Sequence, residues 1–186
     1  MNILKELDEI EANKKEAIIQ GREIAEYLGV EELPIEYEEF VNDSSRLELK
    51  PRARIVVRER ATYNKAELLD CIAHEYRHAF QIYYSQMMDD NLARLWREDL
   101  ADAVASENIA GNELRYMAQA IEVDARAFAQ VWVEKKLGVV ERVKAEWYQM
   151  LIDEYNVNTI IGHRCNAYGL LTYYPYTGLW NNWNNF

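Results

Sequence analysis

Apolar residues Leu4, Leu7, Ile10, Ala17, Ile18, Ile24, Ala25 and Leu28 recur at roughly helical spacing, and Gly29 follows where a C-terminal cap belongs. This predicts a helix over residues 4–28. The stretches LPIEYEEF, RLELK and ARIVVRER then show short alternation, separated by Asn42-Asp43-Ser44-Ser45 and by Pro51, which predicts two or three strands. From Lys65 the period returns to helical. Helices are expected over 65–88, 91–108, 113–137 and 140–155, with Gly111 and Gly138 as breaks. The pattern therefore predicts an α+β fold: one mostly helical domain over residues 1–155, with a small two- or three-stranded sheet before the helix that begins at Lys65. Residues 156–186 have no sustained period and are rich in Tyr, Trp, Asn and Gly, which reads as an aromatic tail packed on the same domain.

Composition narrows the classes. With 186 residues, of which 49% are hydrophobic, the chain can bury a real core. A net charge of −11 opposes non-specific binding to nucleic acid or to an anionic membrane, so neither is an expected partner. In RARIVVRER the residues Arg52, Arg54, Arg58 and Arg60 alternate with Ala53, Ile55 and Val57. That reads as a sheet-edge strand kept soluble by charge, or as a basic rim favouring acidic substrate. The N-terminus has no continuous apolar stretch and so resembles neither a signal peptide nor a membrane span, and Cys71 and Cys165 are too few for a disulfide framework. A cytoplasmic location is expected; the oligomeric state is not legible.

The helix from Lys65 carries HEYRH. On an ideal wheel Leu68, Leu69, Ile72, Ala73, Tyr76, Ala79, Phe80 and Tyr83 share one sector, and His74 and His78 lie outside it. Four residues apart, the two histidines differ by about 40° and stack one turn apart, so their imidazoles can converge on one ion. Glu75 is turned by about 100° from His74, beside the ion rather than on it, where a general base belongs. Two neutral imidazoles suit zinc (Zn2+), and three protein ligands leave a fourth position for water, whose pKa falls to about 7. A third donor is therefore expected on another element. In YMAQAIEVDARAFAQVW an apolar helical stripe has Glu122 at one edge and Asp124 about 200° away, and wheel geometry does not choose between them. Cys71, one turn before His74, is a further soft donor that would close the site, although a small buried thiol is ordinary core.

HEYRHAFQ followed by EVDARAFA resembles the gluzincin pattern of zinc peptidases, in which a ligand glutamate stands three residues before an alanine and six before a Phe-Ala pair. Glu122, Ala125, Phe128 and Ala129 have that spacing. The chain is also similar to the small minigluzincins and to the peptidase domains that cleave phage-type repressors. The resemblance spans roughly residues 46–133, and its specific matches are confined to the two helices. It implies a zincin-like metallopeptidase domain in which His74, His78 and Glu122 bind Zn2+, Glu75 is the catalytic base, and a protein or peptide is the substrate.

It also implies a downstream His or Tyr for the oxyanion, for which His163 is the candidate, with Tyr116, Tyr168, Tyr173 and Tyr174 as others. Many gluzincins place an orienting aspartate four residues after the ligand glutamate, where this chain has Arg126. Asp124, Asp99 or Asp102 would have to serve instead. The expected function is zinc-dependent peptide-bond hydrolysis by a small endopeptidase. The alternative is a latent or non-catalytic zinc-binding domain that works through a protein partner. Latency would follow if Tyr173, Tyr174, Tyr176, Trp180 and Trp183 of the tail filled the cleft and His163 or Cys165 approached the ion, whereas a tail on the back of the helices would be plain core.

Overall fold

A computed structural model describes residues 3–39, 44–106, 116–139 and 142–160 of the chain. The fold is α+β and mostly helical. Its elements are α1 (Ile3–Leu28), β1 (Ile35–Glu38), β2 (Ser45–Glu48), β3 (Arg54–Arg58), a 3-10 turn (Glu59–Tyr63), α2 (Lys65–Met87), α3 (Asn91–Ser106), α4 (Ala120–Leu137) and α5 (Glu146–Ile160). The chain divides into two compact units, Met1–Tyr83 with Phe128–Glu141 and Tyr84–Ala127 with Arg142–Phe186. No helix among the described residues is long and apolar enough to cross a membrane.

In the first unit α1 ends where its sequence says it should. Gly29 takes φ +69°, its N–H donates to Glu26 and the Val30 N–H donates to Ala25, the paired bonds of a glycine-capped helix end. Gly21, in the middle of α1, serves packing instead: a Cβ there would lie 3.1 Å from Ile35 Cδ1 and 3.2 Å from the Tyr76 ring. The helix can thus approach β1 and α2 closely. Tyr27 stacks on Phe128 at 6.3 Å and meets Trp132 at 5.7 Å, while the Trp132 indole N–H donates to Gln20. Ile24, Ile55, Leu68, Ile72 and Tyr76 of the same unit are buried as well.

The sheet order is β1-β3-β2, parallel between β1 and β3 and antiparallel between β2 and β3. The arginine-rich strand is therefore central, not an edge as its charge pattern predicts. Ile55, Val56 and Val57 are all buried, because strands on both sides and packing on both faces leave only Arg54 and Arg58 at its ends half-exposed. Part of its charge is answered on the sheet. Arg54 pairs with Glu36 and Glu48, Arg46 pairs with Glu38 and Glu48, and the 3-10 turn removes Arg60 from the strand.

In the second unit Asp90 begins α3, accepting from the Ala93 N–H at 2.8 Å and from the Tyr84 hydroxyl at 2.6 Å. The helix that the period predicts is interrupted at Ala118 and Gln119, and α4 begins at Ala120. Gln119 closes a turn onto Tyr116, and then the Asp99 carboxylate accepts from the Ile121 N–H while the Gln119 carbonyl accepts from Glu122 and Val123. A carboxylate outside the helix has captured a donor that the helix leaves open. Val123, Ala127, Tyr148 and Ile152 form the buried centre of this unit. α5 runs to Ile160, so residues 156–160, expected in the tail, are helical. His163, Cys165, Tyr168, Tyr173, Tyr174, Tyr176, Trp180, Trp183 and the rest of the expected tail, with the side chain of Asp102, lie outside the described residues.

Candidate metal centre

Asn64 starts the helix that carries the motif. Its side-chain oxygen accepts from the Ala66 N–H at 3.0 Å, and its carbonyl takes the Leu68 N–H. Three turns on, α2 is buried on more than its apolar side. The expected core residues Leu68, Leu69, Ile72, Ala73, Tyr76 and Phe80 are inside; Tyr83 is 51% exposed, and Tyr84 takes the buried place instead. Tyr76 anchors the helix, accepting from the Leu33 N–H at 2.9 Å through its hydroxyl. His74, Glu75, Gln81 and Ser85 are buried as well, and with half-buried His78 the residues 74, 78, 81 and 85 form a second, polar stripe along the helix.

The two imidazoles meet edge to face, with ring centres 4.5 Å apart and the two Nε2 atoms 2.9 Å apart. Beyond them, His78 Nδ1 lies 2.8 Å from Gln81 Oε1. Glu75 is 4% exposed, and the Ser45 hydroxyl at the start of β2 donates to its Oε1 at 2.7 Å. On α4, Glu122 falls in the first turn, where the helix dipole favours a carboxylate. His74, His78 and Glu122 each offer one ligand atom, and these atoms all lie within 4.8 Å of one another. Asp124 goes elsewhere: it is fully buried and accepts a hydrogen bond from the Tyr155 hydroxyl. The choice between the two carboxylates that the helical wheel leaves open is thus made by their partners.

This donor set fits zinc. Two imidazole nitrogens and one carboxylate leave a coordination position open, and calcium or magnesium would call for an all-oxygen shell. Donors on one tetrahedral zinc stand about 3.3 Å apart, so shifts of roughly an ångström gather the three around an ion. Cys71 is buried but does not belong to the convergent group. Asp99 uses one carboxylate oxygen to cap α4. Reading the residues in order missed two participants. Gln81 is signalled only by its place three residues after His78; Ser45, thirty residues from Glu75, has no local signal.

Comparison of the chain with protein-family models, curated proteins and solved structures finds no match. The resemblance to gluzincins consequently stands on the motifs of the two helices.

Proposed function

We propose that this protein is a zinc-dependent hydrolase of peptide bonds, with His74, His78 and Glu122 holding the ion and Glu75 as the general base. The observation that carries the reading is the place of Glu75: directly beside a ligand, buried, yet outside the group of three donors that converge. A site that used metal for structure alone would have no use for a carboxylate there. When bound, zinc supplies Lewis acidity that polarises a carbonyl and lowers the pKa of water to about 7.

The chain's own groups do the rest. Ser45 donates to Oε1 of Glu75 and fixes the plane of its carboxylate. Glu75 then accepts the proton of the attacking water and passes it to the departing amine nitrogen, a transfer worth about 10²–10⁴-fold in rate. The substrate class under this reading is a protein or peptide.

Metal analysis of the purified protein, followed by digestion of a peptide library with and without a chelator, tests the proposal. About one zinc per chain and chelator-sensitive cleavage are expected, with Glu75→Gln keeping the zinc and losing the cleavage. Zinc retained by a wild-type protein that cleaves no peptide would sink the catalytic part and leave a zinc-binding domain that acts through a partner.

A further inference from the structure

Gln81 is 0% exposed and one turn beyond His78 on the same face of α2. A buried amide is placed where its oxygen and nitrogen both have work to do, since desolvating either without a partner is costly. Its Oε1 lies 2.8 Å from His78 Nδ1. An amide oxygen only accepts, so the hydrogen of this bond belongs to Nδ1. A neutral imidazole carries one N–H, and Nε2 is then left with its lone pair. That is the nitrogen 2.9 Å from Nε2 of His74.

We propose that Gln81 is a positioning residue that locks His78 in the Nδ1-protonated tautomer and so presents its Nε2 lone pair to the metal. The inference rests on the metal-binding part of the function proposed above, not on catalysis. A neutral orienting group also suits the charge of this site. Glu75 and Glu122 already balance the two charges of a zinc ion, and an amide fixes the ring without adding a third anion. The opposite orientation of the amide would donate from Gln81 to Nδ1, put the proton on Nε2 and block the ligand atom, so tautomer and metal affinity report on the same bond.

Nitrogen-proton correlation spectra of the metal-free protein at about pH 8, where histidine is neutral, read the tautomer directly, with His78→Ala assigning the signal. Zinc affinity is measured in parallel by competition with a chromophoric chelator. Wild type is expected to show His78 protonated at Nδ1. Gln81→Leu, which keeps the volume and removes the acceptor, should lose that preference and bind zinc about 10–100-fold more weakly with its helical signal intact. Gln81→Glu, which keeps an acceptor, should restore affinity; a merely space-filling role predicts the reverse order. His78 protonated at Nε2 in the wild type overturns the inference without any variant having to fold, as does a tautomer unchanged in Gln81→Leu. If the wild type shows the Nδ1 proton but takes up no zinc, the metal reading fails while the hold of Gln81 on the ring stands.

Discussion

Two polar clusters of the first unit have opposite designs. On the sheet, Arg46 and Arg54 interleave with Glu36, Glu38 and Glu48, with Arg54 to Glu48 at 2.7 Å, Arg46 to Glu48 at 2.8 Å and Arg46 to Glu38 at 3.0 Å. Each charge there is answered by its neighbour, in side chains that keep a quarter to a half of their surface in water. On α2, His74, Glu75 and Gln81 are withdrawn from water, and the ring nitrogens of the histidines point at one another. Burying polar groups costs free energy that surface pairing avoids. The cluster that accepts this cost is the one the proposed metal site uses, whereas the surface ladder neutralises itself. Density of charge along the sequence marks the first cluster, whereas burial marks the second.

The contrast is broken most severely by removing a donor from the buried stripe. His74→Ala or His78→Ala is expected to reduce zinc from about one per chain to none by elemental analysis, since each deletes one of three protein ligands. Arg54→Met on the sheet should leave metal content unchanged. The two carboxylates of α4 sharpen the point. Glu122→Gln should weaken zinc binding in a calorimetric titration, while Asp124→Asn should keep the metal but replace the charged acceptor of the Tyr155 hydroxyl with a neutral amide whose NH2 must be satisfied in a fully buried site, destabilising the fold by about 1–3 kcal/mol in urea unfolding. Stripping of the metal by Asp124→Asn instead would reverse the assignment.

A smaller effect is expected on the apolar side of the same helix. Tyr76→Phe leaves the Leu33 N–H without the hydroxyl it donates to, at a cost of about 1–2 kcal/mol in thermal or urea unfolding and with zinc content unaltered. The smallest belongs to the ladder. Hydrogen bonds from Arg46 and then Arg54 hold the Glu48 carboxyl below its ordinary value of 4.5. Its contribution is therefore present above that value and lost as the pH falls through the lower folded one. The melting temperatures of wild type and Glu48→Gln should differ slightly at pH 7 and converge below about pH 4.5; a gap that widens on acidification would show that Glu48 is not stabilised as an anion.

Much of the fold is written in local pattern. The succession of helix, short strands and helices follows from spacing, and Gly29 and Asn64 stop and start helices by chemistry contained within a few residues. What escaped is non-local. Arg54 to Arg58 reads as an edge because charge alternates along it, and becomes central because β1 and β2 both pair with it. Residues 116–137 keep a helical rhythm, yet the helix breaks at Ala118 and Gln119 and α4 starts at Ala120, where the Asp99 carboxylate accepts from the Ile121 N–H. On α2 the apolar stripe was legible, but Tyr83 and Tyr84 exchanged places.

By itself, then, the sequence determined the α+β class, the amphipathic helix under HEYRH, the one-turn spacing of His74 and His78, and the offset of Glu75 from them. Those are consequences of 3.6 residues per turn and need no partner. Only tertiary structure decided that the second stripe of that helix is buried, that Ser45 reaches Glu75, and that Asp124 is taken up by Tyr155 while Glu122 joins the histidines. The physical reason is that periodicity tells which residues share a face, whereas what that face meets is set by elements tens of residues away, and a polar side chain's role follows from the partner it finds there.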